Sequence, residues 1–180
     1  LNIRGPDALD AAVRACMASL FTERAIVYRA QNHFTHRAVV LSVGVQRMVR
    51  SDLACAGTIF TLDTETGFRD VVLVTGAWGL GETVVQGRVD PDEFWIHKTT
   101  LRAGYRPILR RVIGAKEVKL VYGEGRTQAV REERVSAHDR ARPVLCDDEL
   151  LQLARWALVI EEHYSERQGR PTPMDIEWAK

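Results

Sequence analysis

Cysteine is scarce in this sequence: Cys16, Cys55 and Cys146 are far apart, odd in number and contain no CxxC pair. That pattern argues against a disulfide framework and a cysteine-based zinc site, and it suits a reducing cytoplasm. Long apolar runs are missing too. Nothing approaches the roughly 20 residues that a membrane-spanning helix requires, and the first residues lack the basic-then-apolar pattern of a signal peptide. Neither charge sign dominates, since 25 basic and 24 acidic side chains leave a formal net charge of +1. There is no global field to recruit nucleic acid or an anionic membrane. No GxxxxGK[ST] loop is present, Ser42 and Ser51 lack a GxSxG elbow, and no cysteine has a local activating partner. Among the histidines only His33 and His36 are close, and no cysteine or third histidine joins them, so surface or partly buried roles are expected.

What is there is the composition of a folding domain. The 180 residues are 46% hydrophobic and 27% charged, enough for one domain with a real core. Leu9, Val13, Cys16, Met17 and Leu20 recur at helical spacing, with Asp7 as the expected cap. Residues Ala38 to Val49 are rich in β-branched side chains and predict a strand, and Ala54 to Leu62 and Val71 to Thr75 repeat the signal across a turn-forming segment at 63–67. Short strands are expected at Phe94 to Lys98, Ile108 to Val112, Val118 to Tyr122 and around Thr127 to Arg131. The charge-rich stretch 131–142 suits a solvated connection or hairpin arm. Asp147 or Asp148 should then cap an amphipathic helix to about Tyr164, ended by Gly169, Pro171 and Pro173. A final strand follows at Met174 to Trp178. Helix, many strands, helix and strand make the class α+β rather than doubly wound α/β. The chain begins at Leu1 rather than Met and stops at Lys180 after a strand-like run, so cut ends are the expectation.

Two features point to chemistry. In Met174-Asp175-Ile176-Glu177-Trp178, period-two alternation puts Asp175 and Glu177 on one strand face and the apolar residues on the other. Two such carboxylates repel unless a cation lies between them, which suits magnesium on nucleotide phosphates; by spacing alone, an edge strand with a wet face is the commoner outcome. The glycines at 76, 79, 81 and 87 predict a loop from Gly76 to Gly87 that could bring backbone amides to phosphate oxygens, or serve as a plain hairpin loop. Glu82 within it is either functional or solvated.

Read together, several segments resemble the N-terminal ATP-binding domain shared by phosphoenolpyruvate synthases and pyruvate phosphate dikinases. They are Ser19-Leu20-Phe21 to Arg29, Leu41 to Asp52 (with VQRMVRSD), Gly57 to Asp70 (with FTLDTETGFRD), Gly79 to Gly87, and Met174 to Lys180. The spelling favours the synthase side. The resemblance implies an ATP-grasp fold incomplete at both ends, with ATP between two α+β subdomains and residues 1–180 forming part of one nucleotide-binding domain. It implies that Gln46, Met48 and Val49 lie on the strand that contacts adenine, that Glu82 lies near the nucleotide, and that Asp175 and Glu177 hold magnesium and phosphate.

The same resemblance places a nucleotide-contacting lysine and arginine before Leu1, and a glutamine and arginine after Lys180. The phosphohistidine domain and the pyruvate-binding barrel also fall outside the chain, so pyruvate would be met only through missing parts, and a homodimer is left open for the full-length enzyme. The implied reaction converts ATP, pyruvate and water to AMP, phosphoenolpyruvate and phosphate through a phosphohistidine. Two alternatives stay open: a stand-alone nucleotide-binding or regulatory domain, and part of a related antibiotic phosphotransferase.

Overall fold

The computed structural model describes residues 3–35, 38–123 and 130–180. It divides into two compact units, Leu1–Met48 and Val49–Lys180.

The first unit is helical. Helix α1 (Pro6–Ala18) starts with Pro at its first position, where a missing N–H costs nothing. Its N-cap is Gly5 rather than the expected Asp7, whose carboxylate instead sits in the first turn at the positive end of the helix dipole. The α-helix also stops before Leu20, because residues 19–21 tighten into a 3-10 turn. Helix α2 (Glu23–Gln31) is capped by Thr22, whose hydroxyl accepts the Ala25 N–H. From its face the buried Arg29 donates back to the Leu20 carbonyl at 2.5 Å.

The strand expected over residues 38–49 does not form: residues 39–50 have no regular secondary structure. Val40 is 89% exposed and Val45 66%. β-Branched residues favour extended backbone, but a strand exists only in a ladder, and no described strand pairs with this one.

The second unit is built on a five-stranded, wholly antiparallel sheet. In chain order it holds β1 (Cys55–Phe60), β2 (Val71–Trp78), helix α3 (Glu82–Val85), β3 (Asp92–His97), helix α4 (Lys98–Arg102) and β4 (Ile108–Val112). A separate ribbon, β5 (Val118–Tyr122) with β6 (Val130–Arg134), then leads through α5 (Ala137–Arg140) to the long helix α6 (Asp147–Gln168) and the last strand, β7 (Asp175–Ala179). The spatial order is β4-β3-β2-β1-β7. Of the strand expected around Thr127 to Arg131, residues 127–129 lie outside the described residues, as does His36. The charge-rich stretch after them supplies β6 and α5.

Helix α6 covers one face of the sheet. Its Leu150, Leu151, Ala154, Ala157 and Leu158 share a core with Cys55, Ile59, Val72, Val74, Phe94 and Ile96; each large side chain removed from water contributes roughly 1.5–3 kcal/mol. The helix is capped one or two residues earlier than expected. Cys146 is the N-cap, because its N–H donates to Glu149 Oε2 at 3.0 Å, and this fixes Asp147 and Asp148 inside the first turn. Gly169, at φ 64°, ends it.

Two buried ion pairs tie connections to this core. Asp92 accepts from the Gly114 N–H and the Val144 N–H and pairs with Lys116, both side chains being fully buried. Lys98 donates to Glu161 and to the Thr61 carbonyl at 2.6 Å, joining α4 to α6. At the other side of the sheet, Trp178 of β7 crosses its partner Gly57 to reach β2, where its indole N–H donates to the Thr75 carbonyl at 3.0 Å. Gly76 has to be glycine here, since a Cβ would lie 2.7 Å from the indole ring. The glycine loop expected from Gly76 is therefore shorter: residues 76–78 belong to β2 and 82–85 to α3.

Candidate functional site

Alternation along β7 follows the expected pattern. Ile176 and Trp178 face α6 and the core, and Asp175 and Glu177 are exposed on the opposite face. Register extends that face across the sheet. Glu177 stands beside Thr58, and Asp175 beside Phe60. Thr58 shares a 2.8 Å hydroxyl hydrogen bond with Thr75, whose next neighbour is Glu93. In the adjacent row Leu73 pairs with Trp95, and Arg110 lies over the Trp95 ring at 4.6 Å from its centroid. Burial and the nearby Asp90 carboxylate push the Glu93 pKa up, against the pull of Arg110.

Glu177 and Glu82 line one cavity of about 400 Å³, together with Ser51, Gly81, Val85 and Ala179. Glu82 is there because β2 ends at Trp78 and the chain turns through Gly79 to start α3. Gly79 stands at φ 84°, with its N–H on the Ala54 carbonyl at 3.0 Å. A side chain on it would run into the Leu120 backbone of β5. Neither Glu82, Asp175 nor Glu177 forms an ion pair with a described residue. Two uncompensated carboxylates on one cavity suit a cation that brings further oxygen ligands with it. The described residues hold no group of three or more acidic, histidine or cysteine side chains placed to bind a metal. A larger groove of about 1120 Å³ in the first unit, along α2, is mostly apolar and carries a single carboxylate, Glu23.

The structure thus brings Glu82 and Glu177 to one cavity and puts Asp175 on the same sheet face. Gln46 and Met48 belong to the first unit and Val49 to the second, all in the segment without regular structure; Gln46 and Val49 are exposed and Met48 is half-buried. Sequence reasoning missed Ser51, Thr58, Thr75 and Glu93. For Glu93 a signal was available, because alternation in Asp92-Glu93-Phe94-Trp95-Ile96 separates Phe94 and Ile96 from Glu93 and Trp95.

Comparison with known proteins gives the family. The family described as pyruvate phosphate dikinase, AMP/ATP-binding domain, matches residues 1–180. The phosphoenolpyruvate synthase of Pseudomonas aeruginosa is 56% identical over 182 residues, that of Synechocystis 52% over 180 and that of Escherichia coli 50% over 182. In each case the match covers 100% of this chain and 22% of the relative, so the chain spans about a fifth of their length.

Proposed function

Because this chain belongs to the pyruvate phosphate dikinase AMP/ATP-binding domain family, we propose that it is the ATP- and magnesium-binding part of a phosphoenolpyruvate synthase. The observation that carries the reading is the pairing of Glu82 and Glu177 on one cavity, with Asp175 on the same face and none of the three neutralised by a described cation. Such a site favours a hard divalent ion that keeps phosphate oxygens or waters in its shell. Asp175 and Glu177 would hold magnesium on the triphosphate, Glu82 would stand near the nucleotide, and the backbone at Gln46, Met48 and Val49 would meet adenine. Magnesium supplies charge neutralisation as a phosphoryl group departs. The ATP-grasp architecture is proposed on the same ground.

The complete enzyme would take ATP, pyruvate and water to AMP, phosphoenolpyruvate and phosphate through a phosphohistidine. Pyruvate and the phosphohistidine would be handled by parts of the polypeptide outside these residues. The cytoplasm is the proposed compartment, in keeping with three unpaired thiols. Calorimetric titration should show ATP binding that depends on magnesium and is lost in Asp175→Ala or Glu177→Ala. Unchanged affinity in both variants removes the carboxylates from the site, and ATP affinity that ignores magnesium removes the metal.

A further inference from the structure

Ser51 lines the cavity and is buried, yet it belongs to a single 3-10 turn, residues 51–53, too short to fix its own position. What fixes it lies on either side. Arg50 grips Asp52 at two points, Nε to Oδ1 and a terminal nitrogen to Oδ2, both at 2.7 Å, so the pair closes around Ser51. Bidentate guanidinium–carboxylate pairs constrain geometry as well as adding energy. The Asp52 side chain is only 5% exposed while that of Arg50 is 43% exposed. The Arg50 hydrogen bonds hold the Asp52 carboxyl below the usual carboxylate range.

The same guanidinium lies over the ring of Tyr122, 5.8 Å from its centroid, at the end of β5. Two residues earlier on β5, the Leu120 carbonyl accepts the Leu80 N–H at 2.9 Å, directly ahead of Gly81 and Glu82. The Gly79 N–H returns to the Ala54 carbonyl at 3.0 Å, just after the 3-10 turn. Segments 50–54, 79–82 and 120–122 are thereby fastened to one another in a closed ring, and the first two supply Ser51 and Glu82 to the cavity wall.

We infer that Arg50, Asp52 and Tyr122 are positioning residues for the cavity, a latch that sets where Ser51 and Glu82 stand when a nucleotide binds. The inference rests on the nucleotide reading above. A latch of this kind needs the aromatic face of residue 122 and the fork of residue 50. The phenol hydroxyl is dispensable, and a lysine, with one charge centre and no fork, is a poor replacement.

The test uses the full-length polypeptide, with magnesium–ATP affinity read by calorimetry and the melting temperature read alongside. Arg50→Lys should weaken affinity about tenfold, as expected for loss of a bidentate, charge-assisted contact. Tyr122→Leu should weaken it about fivefold, the scale of one cation–π contact. Tyr122→Phe should restore the unmodified value. Should Arg50→Lys fail to fold, the two Tyr122 variants decide the matter, compared at equal melting temperature. Equal affinities in Tyr122→Leu and Tyr122→Phe overturn the latch; if Glu177→Ala still abolishes binding, the nucleotide reading survives without it. Absence of magnesium–ATP binding in the unmodified protein overturns both.

Discussion

Two stretches of this chain carry nearly the same β-branched signal and end differently. Val71–Trp78 becomes the central strand, buried at every position except its last. Residues 39–50 form no strand, and Val40 and Val45 stand in solvent. The difference lies in the partners rather than in the residues. β2 has β1 on one side, β3 on the other and α6 across one face, whereas nothing described offers residues 39–50 a ladder. Strand propensity records what a pleated, half-buried surface would accept, and the surface has to be supplied by the rest of the fold.

Perturbations on the two sides of this contrast should therefore differ greatly in size. The largest effect is expected for Asp92→Ala, which strands the buried Lys116 ammonium; loss of about 3–5 kcal/mol is anticipated, measured by urea unfolding. A loss below about 1 kcal/mol would show that the pair does not hold the sheet's far connection. Next comes Trp178→Ala, which empties the space above Gly76 and leaves the Thr75 carbonyl without its indole donor. It should cost about 3 kcal/mol and release β7, seen as faster amide exchange in Asp175–Ala179.

A smaller effect should follow pH. Asp52 is held below the usual carboxylate range by Arg50, so its contribution is complete above that range and is lost as pH falls through the folded value. Stability measured from pH 6 to pH 3 should decline, and Asp52→Asn should flatten part of that decline; an identical slope in the variant would exclude Asp52 as a source. The smallest effect is expected in the contrasting segment, where Val40→Thr and Val45→Thr should change stability by less than about 0.5 kcal/mol. A larger loss would show that residues 39–50 are packed in solution.

Legibility in the sequence followed how local each cause was. Ile108–Val112 and Val118–Tyr122 were readable to the residue because turn residues bound short β-branched runs on both sides. The facing of Asp175 and Glu177 was readable because alternation is a property of the strand itself. The caps at Gly5 and Cys146 were each misplaced by a residue or two, since aspartates in a first turn look like caps until the chain's entry angle is known. Gly76 looked like a loop residue because its reason for being glycine, the Trp178 ring, arrives 103 positions later by the measure of the Trp178–Thr75 hydrogen bond. Ser51 was legible only as part of the resembling segment Leu41 to Asp52, because the contacts around it, Arg50 with Asp52 and Arg50 over Tyr122, join two separate segments. The implied strand over Gln46, Met48 and Val49 failed for the reason the comparison gives.

The attachment of β7 has a consequence for the order of folding. The Met174 N–H is received by the Thr61 hydroxyl, 113 positions earlier in the chain, whereas β1, β2, β3 and β4 pair in sequence as a meander. Hairpin neighbours close small loops, and closing a loop of this length costs more entropy before any contact rewards it. The meander can therefore assemble while the segment bearing Asp175 and Glu177 is still being synthesised, and β7 docks onto a sheet that already exists. Nascent chains would then lack the sheet face that carries both Asp175 and Glu177 until β7 has paired with β1.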